Sequence, residues 1–331
     1  MKKICLLIIF MFIFLVGCGK ENESKIVKKL NDNLKKINSY YLEGDLSILN
    51  NNDEYKYDVS VYYLEDDYYR VNLLNKDTGH EQIILKNDEG VFVVTPSLNK
   101  SFKFQSNWPN DSSQIYLMHS LYEDIFNEKE RTFVKKDSLY SFEVNANYPN
   151  NSSLVKQSII FNDELVLKNV KIFDDNNEVK MNMDFSNIVF NESIDKKLFD
   201  LDNIVENFKN SNSDNVISSI DDIIYPLYIP VGTVLTDEEK VSKTNGERII
   251  LTFDGEKPFI LVEETVSIEQ EFSIVPMYGE PELMHDSVAT ISNNSITWVS
   301  NGIEYYLVSD VMNQIELMEI ATSITKIESE K

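Results

Sequence analysis

Cysteine is nearly missing from this 331-residue chain: there are two, and both fall within the first eighteen residues, at Cys5 and Cys18. Everything after position 18 therefore excludes an internal disulfide and any cysteine-based zinc site. Histidine is almost as scarce, with His80, His119 and His285 far apart and in no metal-binding or hydrolase spacing. No D-x-D-x-D-G calcium loop, Walker loop, G-x-S-x-G elbow or S-x-x-K arrangement stands in its required context, so neither a catalytic residue, a metal nor a cofactor is expected. Positive charge is also in deficit: 31 Lys and Arg face 55 Asp and Glu, a formal charge of -24. A phosphate backbone needs clustered cations, so nucleic acid is excluded as a partner.

The one long apolar run is Ile4 to Val16, behind the basic Met1-Lys2-Lys3. It is too short to span a bilayer comfortably and has the form of a signal peptide. It ends in Leu15-Val16-Gly17-Cys18, which resembles a bacterial lipobox. The resemblance implies cleavage before Cys18 and a diacylglycerol on its thiol, with residues 1–17 as signal peptide and 18–24 as lipidated tether. Loss of Lys2 and Lys3 brings the mature charge to -26, so the body is expected to stand off the membrane.

Apolar residues Ile26, Val27, Leu30, Leu34 and Ile37 recur at helical spacing, predicting a helix over 24–38. From Tyr40 the period changes to two. Tyr55, Tyr57, Val59, Val61 and Tyr63 share one face, and Tyr62 points the other way. Strand runs follow at 68–74, 81–86, 90–95 and 101–105, separated by turn sequences such as Asn87-Asp88-Glu89-Gly90. Trp108-Pro109 then leads to a predicted helix over 112–127, with Asp111 or Ser112 as its cap. Strands resume at 132–135, 140–146, 155–161, 166–173 and 179–189, and 195–201 reads as a closing helical turn. The fold class is mostly β (α+β), with about ten strands in one antiparallel sheet, wide enough that it must curl.

Residues 202–224 are rich in Asn, Ser and Asp and read as a linker with some helical content. A smaller α+β domain over 225–331 follows a main domain over 25–201. Its predicted strands are 233–241, 247–253 and 259–266, with a hairpin 295–299/303–308 turned by Asn301-Gly302 and a final helix from about Met312.

The stretch from Ile26 to Leu201 resembles the LolA-like and MucB/RseB-like lipoprotein domains, and among them the sporulation and germination lipoproteins of Gram-positive spore formers. The resemblance is carried by Tyr69-Arg70-Val71, Glu81 to Ile84, Gly90 to Pro96, Asn99 to Phe104 and the Trp108 to Leu117 insertion. It implies a half-barrel sheet with helices on its concave side. In the carriers of the family that space receives acyl chains. Trp108, Phe102, Phe104, Tyr116 and Leu117 are the candidate lip or lid of such a trough; the alternative for the neighbouring tyrosines is an ordinary aromatic core. Arg70 is expected in an ordinary ion pair rather than in anion capture.

These readings converge on a non-enzymatic lipoprotein on the outer face of the cell membrane. Its expected ligand is a protein partner, with a cell-wall-modifying enzyme as candidate, or an acyl chain. A lipid or lipoprotein carrier and an envelope-stress sensor are the alternatives.

Overall fold

The computed structural model describes residues 22–50, 53–208, 220, 222–243, 246–266 and 271–324. Cys18, the signal sequence, most of the tether and much of the 202–224 stretch lie outside these residues.

The chain enters through helix α1 (Glu23–Leu34), whose first turn is capped by the Asn22 side chain accepting from the Lys25 amide. Ile26 and Leu30 are fully buried. Eleven antiparallel strands follow: β1 (Ser39–Asn50), β2 (Asp53–Leu64), β3 (Tyr68–Asn75), β4 (Glu81–Asn87), β5 (Gly90–Thr95), β6 (Lys100–Phe104), then, after helix α2 (Met118–Asn127), β7 (Thr132–Lys136), β8 (Leu139–Asn145), β9 (Leu154–Asn162), β10 (Leu167–Asp174) and β11 (Val179–Phe190). β1 sits between β2 and β11, so the two halves of the meander are joined along one long central strand. The predicted mostly β class with helices against an antiparallel sheet is what the chain forms.

Alternation decides which side of each strand meets the helices. Tyr57, Val59, Val61 and Tyr63 are buried on the face toward α1 and α2. From that face α2 reaches both halves of the sheet: His119 lies 4.3 Å from the ring of Tyr63, and Tyr122 lies 5.5 Å from that of Phe161. The sheet must therefore wrap around the helix. Gly44 stands at a register irregularity in β1, where an added Cβ would come within 2.3 Å of the Asp184 carbonyl oxygen. On the opposite face Ile83, Leu85, Phe92 and Val94 are covered by the 3-10 turn Lys196–Phe199 and helix α3 (Leu201–Phe208). The helical content expected in 202–224 thus falls at 202–208, in a packed helix.

The predicted helix over 112–127 begins six residues later, and neither Asp111 nor Ser112 caps it. The cause is Ser113, whose amide donates to Asn147 O at 2.7 Å while its Oγ accepts from the Asn147 amide. Ser113 Oγ also donates to Asp124 at 2.8 Å. Ser113 is thereby fastened to the β8–β9 connection, the Gln114 amide donates to Ser120 Oγ at 2.9 Å, and the regular helix begins at Met118.

A second sheet carries β12 (Thr233–Lys243), β13 (Gly246–Gly255), β14 (Phe259–Thr265), β16 (Glu280–Leu283), β17 (Val288–Ile291), β18 (Ser295–Ser300) and β19 (Ile303–Val308), in the order β12-β13-β14-β19-β18-β17-β16. Asn301 and Gly302 both take positive φ, which the two-residue hairpin between β18 and β19 requires. Helix α4 (Gln314–Thr322) covers this sheet, opened by an Asn313–Glu316 capping box.

The remaining strand, β15 (Ser273–Met277), leaves the second sheet. It pairs in parallel with β6, so that Val275 lies opposite Phe102 and Met277 opposite Phe104. It thereby covers an edge of the first sheet, making twelve strands in all, and it is itself the new edge. Pro276 is tolerated there because an edge strand needs no N–H on its outer side. Further bonds tie the two units: Gln82 Oε1 accepts from the Val288 amide at 2.7 Å, and Tyr57 Oη donates to the His285 carbonyl at 2.9 Å.

Candidate functional site

The five residues predicted as a lip are gathered in one cluster, and all are buried: Trp108, Phe102, Phe104, Tyr116 and Leu117 belong to the main core. Phe102 and Phe104 sit between β5 and β15. Trp108 meets the edge of Tyr69 at 5.9 Å, and Tyr116 Oη donates to Gln114 at 2.9 Å. Tyr63 stacks on Tyr40 at 5.0 Å, and His119 lies against both rings. Burial holds the His119 imidazole down at a pKa of about 4, so it is neutral at physiological pH. The cavity beside Tyr116 and Tyr148 measures about 10 Å³, at most a single water. Met118, Leu121, Tyr122 and Ile125 of α2 are all buried against the sheet. The tyrosine-rich face is a filled core.

Arg70 lies on the opposite face. Its guanidinium donates to Asn72 at 2.9 Å and to the Leu198 carbonyl at 3.3 Å, and burial lowers its pKa. It fastens the 3-10 turn to β3.

An open site lies elsewhere, in a cleft of about 410 Å³ between the start of β2, the β3–β4 turn and the second sheet. That volume is within the range of small-ligand sites. Asp53, Glu54, Asp77 and Asp286 contribute carboxylates to it, and Tyr55, Trp298 and Tyr305 contribute rings. Trp298 and Tyr305 are stacked at 4.8 Å across the β18–β19 hairpin. His285, which also lines the cleft, has a side chain only 4% exposed. Its ring lies 5.1 Å from that of Tyr55, and Nε2 is 3.6 Å from Asp286 Oδ1. The His285 ring has the Ile324 backbone as a further neighbour, and Oδ1 of Asp286 is buried beside it. Asp286 accepts from Ser300 Oγ.

The electrostatics follow from this geometry. Burial is the largest cause raising the Tyr55 phenol, and Asp286 and Asp53 push it further. Tyr305 is raised by burial, then by Glu263 and Asp286. Burial lowers the His285 imidazole, against the pull of Asp286 and Asp53, so it stays neutral. A second cavity, of about 230 Å³, lies on the other side of His285, between β1, the β8–β9 connection and α4. Glu282 on its wall has its carboxyl pushed up to about 7 by burial, only partly offset by Asn150.

Sequence reasoning missed the cleft. His285 carried no ligand spacing, and its neighbours come from positions 53 to 305, which only the folded chain brings together.

The third feature is an exposed apolar stretch. Leu227, Tyr228, Ile229 and Val231 precede β12, and Val234 and Leu235 continue it; Val231 is 92% exposed. β12 is an edge strand whose remaining residues are mostly polar.

A family model for YdcC-like sporulation proteins matches residues 1–199. Sporulation protein YdcC of Bacillus subtilis is 35% identical over 317 residues, covering 94% of this chain and 93% of its own. Solved structures with similarity include the MucA/MucB complex of Pseudomonas aeruginosa, at 12% identity, 91% and 100% coverage and a TM-score of 0.32. Another is a LolA superfamily protein of Nitrosomonas europaea, at 11% identity, 53% and 98% coverage and a TM-score of 0.30. The match across most of both chains decides the family: this protein belongs to the YdcC-like sporulation proteins.

Proposed function

We propose that this chain is a lipid-anchored, extracytoplasmic, non-enzymatic module that binds a protein partner during sporulation. The observation that carries the reading is the filled interior. An acyl carrier needs a continuous apolar cavity under α2, and there the side chains of α2 and the sheet meet each other, with about 10 Å³ left beside Tyr116. The exposed Leu227 to Leu235 stretch offers instead the kind of surface that a protein partner covers. The Leu15-Val16-Gly17-Cys18 pattern supports the anchor, and the name of the Bacillus subtilis relative supports the process. Among the described residues no helix is long and apolar enough to cross a membrane; the attachment in this reading is through the thiol of Cys18. A cell-wall-modifying enzyme remains the candidate partner, and residues 25–201 and 225–331 the two units through which it is engaged.

Affinity capture from sporulating-cell envelopes, with the wild type beside a Leu227→Asp/Val231→Asp double variant, tests this. The expected result is a partner retained by the wild type and lost by the variant. Identical partner sets would reject the surface. Intact-mass analysis of the N-terminal peptide tests the anchor: diacylglycerol on Cys18 is expected, and an unmodified Cys18 behind an uncleaved leader would contradict it.

A further inference from the structure

We infer that the exposed lysine face of α1 rests on anionic phospholipid headgroups, so that the body lies against the membrane and does not stand off it. The contact depends on the proposed lipid at Cys18 for proximity and adds a second attachment to it. Net charge alone predicts repulsion. The cations, however, are unevenly spread. Residues 22–38 hold five lysines against the two carboxylates Glu23 and Asp32, a local charge of +3 in a mature chain of -26. Arg131 cancels Glu23, its Nε lying 2.7 Å from that carboxylate, so within the segment only Asp32 still opposes the lysines.

Helical geometry gathers these cations on one side. Lys25, Lys28, Lys29 and Asp32 follow the i, i+3, i+4, i+7 rows, Lys35 and Lys36 continue past the last turn, and all six are exposed. Ile26 and Leu30, on the other side, are fully buried, and Val27, Leu34 and Ile37 pack against the same core. The core uses up the apolar face, so the contact is with headgroups and not with acyl chains. Lysines elsewhere are commonly neutralised: Lys76 lies 2.6 Å from Asp45 and 2.7 Å from Asp58, and Lys180 lies 2.9 Å from Glu178. Lys25, Lys28, Lys35 and Lys36 form no ion pair among the described residues.

The length of chain before the fold keeps this face near the bilayer. Cys18 stands four residues before Asn22, where the described chain begins. A stretch of that length spans at most about 14 Å, and α1 itself is only about 18 Å long. Lysines held that close to an anionic surface are attracted to it within a Debye length. A basic patch beside an acyl anchor is the second signal that makes such an anchor durable.

The test reconstitutes the mature, lipidated chain into vesicles of phosphatidylcholine alone or with about 30% phosphatidylglycerol. A nitrobenzoxadiazole label on Asn33→Cys, an exposed position of α1 beside Lys29 and Lys36, reports quenching by headgroup spin-labelled lipid. Quenching is expected to be at least about twofold stronger with phosphatidylglycerol. It should fall to the phosphatidylcholine level in about 0.5 M salt, and likewise in the Lys25→Gln/Lys28→Gln/Lys36→Gln variant. All three lysines are exposed, so circular dichroism should not change. Equal quenching in the two lipids, or in variant and wild type, would overturn the inference. So would a label that responds to soluble polyglutamate and not to the vesicles, which would assign the patch to an acidic polymer. Flotation with the vesicles in high salt reads the covalent anchor separately. A chain that floats but shows no preference for phosphatidylglycerol would end this inference and leave the anchor standing. One recruited by phosphatidylglycerol in low salt but lost from the vesicles in high salt would do the reverse.

Discussion

Two aromatic clusters in this protein are built from the same residue types and end in opposite states. Around α2, Tyr40, Tyr63, Tyr69 and Trp108 surround His119, and the space is full. At the junction of the two sheets, Tyr55 lies against His285, Trp298 and Tyr305 stack on each other, and a cleft bordered by all four stays open. The difference lies in what accompanies the rings. The first cluster is closed by aliphatic side chains of a helix laid on the sheet, whereas the second is lined in part by carboxylates, whose burial is costly. An aromatic patch in a sequence therefore says little about binding until its charged neighbours are known.

The comparison breaks most sharply under truncation. Trp108→Ala should cost about 3–5 kcal/mol, because the core cannot close over the lost ring. Tyr55→Ala, at a half-buried site in the cleft, should cost about 1 kcal/mol. Denaturant unfolding of both variants checks this, and similar losses would mean that the two clusters are packed alike.

Acid sharpens it further. His119 has a folded-state pKa of about 4, below its unfolded value, so the stability it contributes is lost as pH falls from about 6.5 toward 4. Glu263, fully buried and accepting from the Ile224 amide, has its carboxyl raised to about 7 by burial. Its folded state holds the proton more tightly, so its contribution is present at low pH and is lost as pH rises from about 4.5 through 7. Melting curves across this window should show His119→Gln flattening the acid limb and Glu263→Gln flattening the neutral limb. The Glu263 effect should be on the order of 3 kcal/mol, and the His119 effect smaller because its ring keeps some exposure.

Gly44→Ala should cost about 1–3 kcal/mol, since the new Cβ meets the Asp184 carbonyl of the neighbouring strand rather than a movable side chain. Leu227→Asp should change stability by no more than about 0.5 kcal/mol, as expected of a residue 61% exposed. A larger loss would show that the apolar stretch is structural.

Most of the first sheet was legible because its strands alternate, and the pairing of sequence neighbours in a meander follows from short turns. The Asn301-Gly302 hairpin was legible for the same local reason. β15 was not: Ser273–Met277 is five residues long, contains Pro276 and pairs with β6 some 170 residues earlier, so its place is fixed by tertiary contact alone. The start of α2 was misread because the bonds of Ser113 run to Asn147 and Asp124, which local spacing cannot reveal. The five residues of the expected lip lie together in the buried cluster, and spacing in sequence does not distinguish a lid from the core beneath it.

The central claim is that the space between sheet and helices is occupied by the protein's own side chains. Native mass spectrometry of the mature chain, released gently from detergent, measures this directly. The account expects the mass of the polypeptide with its covalent anchor and nothing more. A stoichiometric lipid held without a covalent bond, and shed when α2 is destabilised by Leu121→Ala, would contradict it.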